Sequence, residues 1–253
     1  MWTLNARSSV PAWRLDNDEP PDARLAFSTR RGGVSLSPYD SLNLGRSTAD
    51  RPEAVAENRH RLLTSLDLDP QALAAASQVH GAHAVEAVRA GLESSCDGLW
   101  TRTPGMVLAV SSADCLPILF AAPGIVAAAH AGWRGLASGI IESTLGGMCR
   151  AAGIDPARVR AHLGPCIRDC CYVVGPEVAR QFPRESVREQ DGEIRLSLPR
   201  AAHRRLIDAG VHADAILDVG ACTACEPGWY YSHRRDRGLT GRQWGVAALR
   251  TSP

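Results

Sequence analysis

Residues 107–130 read VLAVSSADCLPILFAAPGIVAAAH, three apolar runs separated by two short breaks. Val107 to Ser112, Ile118 to Phe120 and Ile125 to His130 each have the length of a strand. Their apolar character is nearly continuous rather than alternating, which predicts strands covered on both faces of a sheet. Directly afterwards, Gly135 to Ala152 predicts a helix. Leu136, Ile140, Ile141, Leu145, Met148 and Cys149 trace one stripe of it, and Gly153 supplies its cap. Buried strands feeding an amphipathic helix define an α/β fold.

The pattern extends in both directions. Leu25 to Thr29 predicts a strand, and Arg30–Ser35 and Ser41–Gly45 predict loops. Pro52 opens a helix running to about Leu66, with Val55, Leu62 and Leu66 inward. Arg59 falls on that inward face, where a guanidinium calls for an anionic partner, either a protein carboxylate or a ligand. Leu73 to Gln78 leads to a strand end at Val79-His80, and Asp97 to Thr101 turns into another strand. Downstream, Val159–Leu163, Ile194–Leu198, Ile216–Val219 and Trp244–Leu249 predict strands. Val173–Phe182 and Ala201–Ala209 predict helices. No linker, repeat or low-complexity tract interrupts the alternation, so residues 1–253 are taken as one domain.

Composition narrows the function classes. Lys and Arg number 28 against 27 Asp and Glu, so no basic field points to nucleic acid. The N-terminus has no apolar core of a signal peptide, and Asp16, Asp18 and Glu19 follow it. The longest apolar window is broken by Asp114, Pro117, Pro123 and Gly124, which argues against a bilayer-spanning helix. The expectation is a soluble, cytoplasmic protein, a monomer acting on a small molecule. Eight cysteines then read as thiols or ligands. Neither GxGxxG nor GxxxxGK[ST] occurs, so no dinucleotide or P-loop site is expected.

The chemistry gathers at Gln78-Val79-His80-Gly81, Ala113-Asp114-Cys115-Leu116-Pro117 and His130-Ala131-Gly132-Trp133-Arg134-Gly135. His80, Cys115 and His130 are the residue types zinc prefers, and three such ligands leave a fourth position for water. Cys115 could equally be a nucleophile with His130 as its base. The turn at Gly132–Gly135 offers backbone N–H groups to an anion, with Arg134 beside it. Cys166, Cys170, Cys171, Cys222 and Cys225 form a second possible zinc set, with Cys222-x-x-Cys225 spaced for it. Buried free thiols are the plainer reading of those five. Gln78 and Asp97 suit either substrate or backbone. Arg234-Arg235 suits solvated surface, and His60, His83, His162, His203, His212 and His233 lie outside the main set.

At these motifs the chain resembles the YfiH/laccase-domain family, also called the polyphenol oxidase or peptidoglycan-editing-factor family. The likeness continues through Asn58-Arg59, Gly164-Pro165-Cys166-Ile167, Cys170-Cys171-Tyr172, Cys222-Thr223 and Ser232-His233-Arg234-Arg235. It implies a single α/β domain of layered mixed sheets flanked by helices, and zinc held by His80, Cys115 and His130, with copper able to enter in vitro. It implies phosphorolysis of adenosine, inosine, guanosine and methylthioadenosine, and adenosine deamination by zinc-activated water. Asn43, Arg59 and Arg134 become candidates for phosphate or ribose, Gln78 for substrate, and Asp114 for carrying or orienting a proton. The alternatives are a copper-dependent polyphenol oxidase and a cytoplasmic amidase that edits peptidoglycan precursors. A coupled copper cluster needs more histidines than the eight present. Two departures from the family pattern, Trp100 and Arg168-Asp169, bear on pocket shape and loop rigidity rather than on the ligands.

Overall fold

Alternate residues of the central strands face different hydrophobic cores, and this produces a four-layer sandwich. The computed structural model describes residues 1–15, 20 and 22–251. Asp16, Asp18 and Glu19 lie outside them. One sheet has seven strands in the order Trp2–Leu4, Ala12–Leu15, Ala23–Ser28, Gln243–Leu249, Val107–Ser112, Leu73–Ala76, Gly91–Glu93. A second has six, Ile216–Asp218, Arg160–Leu163, Leu116–Ala122, Ile125–Ala131, Gly98–Thr101, Ala84–Glu86, and Val187–Gln190 pairs with Glu193–Leu196 in a separate two-stranded sheet. The two large sheets mix parallel and antiparallel pairs.

Leu108 and Val110 join Phe27, Leu119, Ala121, Val126 and Ala128 in the core between the sheets. Their neighbours Val107 and Ala109 face the other way, onto Leu62, Leu63 and Leu66 of the helix Pro52–Ser65 and its end. On the second sheet Ile118, Phe120, Ala127 and Ala129 face Ile141, Leu145 and Met148 of the helix Ile140–Ala152, with Ala202 and Leu206 of the helix Leu198–Asp208. Each strand is therefore buried on both faces, as its unbroken apolar run predicted. Burying one such leucine contributes about 1.5–3 kcal/mol.

Several boundaries differ from expectation. The helix anticipated over Gly135–Ala152 is two helices, Trp133–Ser138 and Ile140–Ala152, because Gly139 takes φ +94° at the joint. Val173–Phe182 holds only the short helix Pro176–Ala179, because the residues before it pair instead, Val173 bridging Arg195 and Val174 donating to the Ile194 carbonyl. Trp100 does not shape the cavity described below. Its ring packs over Gly147, where a Cβ would stand 2.5 Å from it. Among the described residues no helix is long and apolar enough to cross a membrane.

Candidate functional site

The polar breaks between the central strands converge at one end of the sandwich. His130 is the penultimate residue of Ile125–Ala131 and is buried. Cys115 lies where the chain passes from Val107–Ser112 in one sheet to Leu116–Ala122 in the other. His80 sits in a loop rather than at a strand end. The strand stops at Ala76, and Gln78 and His80 adopt φ +58° and +62°, which strand geometry does not allow. The three donor atoms lie within 4.8 Å of one another.

Asp97 holds that loop in its left-handed course. Its fully buried carboxylate accepts the backbone N–H groups of Val79 (3.0 Å), His80 (3.0 Å) and Gly81 (2.8 Å). It also meets Nδ1 of His130 at 2.8 Å. Burial favours the neutral acid, but the bonds from His130 and from the backbone outweigh it and keep Asp97 below the ordinary carboxylate value. With Nδ1 committed, Nε2 of His130 is the atom left for a metal or for Cys115.

Cys115 and His130 charge each other. Burial opposes the Cys115 thiolate, yet the charge and hydrogen bond of His130, with a further bond from His80, bring its pKa down to about 6. Burial equally opposes the His130 cation, and the thiolate together with Asp97 raises it to about 9. Gly132 leaves room for the sulfur, since a Cβ there would sit 2.9 Å from Cys115 Sγ. Two imidazoles and a readily ionised thiolate, one imidazole oriented by a carboxylate, fit zinc with one coordination position open.

A cavity of about 420 Å³ opens beside these donors. Arg134, Arg234 and Arg242 line it, with His233 and Tyr172. The one carboxylate on its wall is Asp114, at φ +96°, whose oxygens accept Thr223 Oγ1 (2.6 Å) and the Arg234 backbone N–H (2.7 Å). The Arg134 guanidinium lies over the Trp133 ring at 4.5 Å, and that of Arg234 over Tyr172 at 5.2 Å. Three guanidiniums around one carboxylate leave the cavity net positive, suited to an oxyanion. Gln78 lines it too, but its amide pairs with Ser111. It donates to the carbonyl at 2.6 Å and accepts from both N–H and Oγ at 2.8 Å.

Asn43 and Arg59 are not brought to this cavity. Asn43 is buried, with Nδ2 donating to Thr48 and Asp50 and Oδ1 accepting the N–H groups of Gly45 and Arg242. It therefore positions Arg242. The partner of Arg59 is not an anion. The guanidinium donates to the Leu44 carbonyl at 2.7 and 3.1 Å and lies over the Trp244 ring at 5.3 Å. Burial, aided by the charge of Arg46, lowers its pKa to about 10. The sequence left Arg242 unremarked and set His233 outside the main group; Arg234 is exposed, as the sequence suggested, and yet lines the cavity. The signal available was Ser232-His233-Arg234-Arg235, a polar run that composition alone could not distinguish from a solvated loop.

The family model for "multi-copper polyphenol oxidoreductase laccase" matches residues 24–250. This chain belongs to the YfiH/laccase-domain family. A purine nucleoside phosphorylase of Deinococcus radiodurans is 42% identical over 246 residues, covering 95% of this chain and 93% of that one. The purine nucleoside phosphorylase YfiH of Escherichia coli is 40% identical, covering 92% and 95%. Among solved structures, YlmD from Geobacillus stearothermophilus superposes with a TM-score of 0.92 at 34% identity, covering 99% of both chains. The YfiH fold of layered mixed sheets between helices is thus the fold of this chain. Among the described residues, two groups of three or more could hold a metal, the Cys/His/His set above and a set of four cysteines.

Proposed function

We propose that this protein is a zinc-dependent purine nucleoside phosphorylase that also deaminates adenosine. The observation that carries the reading is a single cavity joining the His80–Cys115–His130 donor set to Arg134, Arg234 and Arg242. When bound, zinc supplies Lewis acidity and lowers the pKa of the water it coordinates. The arginines hold phosphate and place its oxygen behind the anomeric carbon of the ribose. As the glycosidic bond breaks, charge moves onto the purine, and His233 on the same wall is placed to exchange the ring proton. Asp114 serves as an orienter, because both its oxygens are occupied in fixing Thr223 and the backbone of Arg234. Gln78 holds the floor through Ser111, and Asn43 acts through Arg242. Adenosine, inosine, guanosine and methylthioadenosine share the purine and ribose that this cavity would grip.

The test is product analysis of zinc-quantified protein given adenosine with and without phosphate. Phosphate-dependent adenine and ribose 1-phosphate support phosphorolysis, and inosine supports deamination. Neither product from zinc-loaded protein overturns the proposal.

A second reading has one observation in its favour. Cys115, His130 and Asp97 form a thiolate–imidazole–carboxylate series, the arrangement of a cysteine nucleophile. An amidase acting on peptidoglycan precursors would use it. Such an enzyme would lose activity to a thiol alkylator even with zinc removed, and would release an amino acid from a muropeptide precursor.

A further inference from the structure

We propose that Cys170, Cys171, Cys222 and Cys225 form a second metal site, a closed tetrathiolate centre for zinc whose role is structural. The four sulfurs lie within 4.8 Å of one another. Cys170 Sγ is 3.5 Å from both Cys222 Sγ and Cys225 Sγ, and Cys171 Sγ is 3.3 Å from Cys225 Sγ. A disulfide requires about 2.05 Å. The sulfurs of a tetrahedral site with Zn–S bonds of about 2.3 Å are about 3.8 Å apart. The observed spacing is close to the second figure and far from the first. Four soft donors with no open position are the composition of a structural zinc site rather than a catalytic one.

The surroundings hold these thiols together. Arg195 donates to the Cys170 carbonyl, and Arg235 to the Thr223 carbonyl at 2.7 Å. Cys166 and Cys222 form a β-bridge that aligns the two loops. Cys170 and Cys225 are exposed, so an ion has a route in. Cys166 is excluded from the set. It is fully buried, and its sulfur is not among the four that lie within 4.8 Å of one another. Binding would release the thiol protons to solvent.

The tie has a purpose in the fold. The loop carrying Cys170 and Cys171 also presents Ile167 and Tyr172 to the cavity, and the loop carrying Cys222 holds Asp114 through Thr223. A metal joining them would fix one wall of the cavity from behind.

The experiment is metal analysis of protein purified under reducing, chelator-free conditions, with cobalt(II) substitution as an optical probe. Wild type should carry two zinc per chain, and Cys115→Ala and Cys225→Ser one each. Cobalt-substituted wild type should show intense thiolate-to-cobalt charge transfer that largely survives in Cys115→Ala and falls to the share of the single Cys115 thiolate in Cys225→Ser. Should Cys225→Ser fail to fold, the metal count and spectrum of Cys115→Ala decide. A Cys115→Ala protein that holds no zinc, or one whose mass is lower by two hydrogens with no metal at these cysteines, overturns the proposal. Because Cys115→Ala removes only the first site, the metal count of that variant tests the four-cysteine site whether or not the catalytic reading holds.

Discussion

The two thiol-bearing clusters differ in how each is enclosed. His80, Cys115 and His130 are three donors around a cavity, one of them exposed and one oriented by a buried carboxylate. The cysteine cluster is four donors on two loops. An incomplete shell beside empty volume suits turnover, and a complete shell between loops suits cross-linking. On the two proposals, the same residue type serves opposite roles according to the number of its partners.

The comparison is most directly broken at its first member. Cys115→Ala should reduce turnover to background while the folded protein persists, checked by product formation and circular dichroism. Retained turnover would remove the distinction between the two clusters. Asp97→Asn should weaken zinc about 10- to 100-fold, since supporting partners of metal-bound histidines have effects of that size. Chelator competition measures it, and unchanged affinity would mean that the Asp97 bonds serve the loop alone.

Zinc binding at the first site should also strengthen with pH. In the metal-free protein His130 keeps its proton up to about 9, above its ordinary 6.5, while Cys115 loses its own near 6, below its ordinary 9.0. Zinc must displace the proton of His130, so affinity should rise about tenfold per pH unit between these limits. For the stability of the metal-free protein the signs are opposite. The raised His130 contributes stability below 6.5 that is lost as pH rises through about 9. The lowered Cys115 contributes stability above 9.0 that is lost as pH falls through about 6. Between 6.5 and 9.0 the folded and unfolded pairs bind equal numbers of protons, so this part of the stability is flat there. Denaturant midpoints across pH check it.

The smallest effects separate Arg134 from Arg59. Arg134→Ala should raise the KM for phosphate about tenfold, as expected for losing one charged hydrogen bond. Arg59→Ala should leave that KM unchanged and cost about 1–2 kcal/mol of stability through the freed Leu44 carbonyl and the uncovered Trp244 ring.

Hydrophobic period made the sandwich legible. Val107–Ser112 and Ile125–Ala131 are buried on both faces, and their sequences are apolar without alternation. The candidate donor cluster was legible because Cys115 and His130 interrupt those runs. What stayed hidden depended on conformation or distant pairing. Gly139 lies inside a continuous helical stripe, and only its positive φ reveals the break. Arg59 satisfies itself on a carbonyl 15 residues away, which no charge pattern announces. Cys170, Cys171, Cys222 and Cys225 were legible only as a possible set that also took in Cys166, and the pairing of distant backbone, including the Cys166–Cys222 bridge, decides which four sulfurs meet.

The Asp97 carboxylate has a consequence for how the molecule comes together. It stands at the entrance to a strand of one sheet and grips a loop leaving a strand of the other. Cys115 likewise sits on the passage between sheets. Neither half of the sandwich owns a complete donor set, and contacts of such long sequence separation are late and slow to form. Tight zinc affinity at this site therefore reports that the two sheets have docked, and a chain arrested before docking would carry the ligands without the centre.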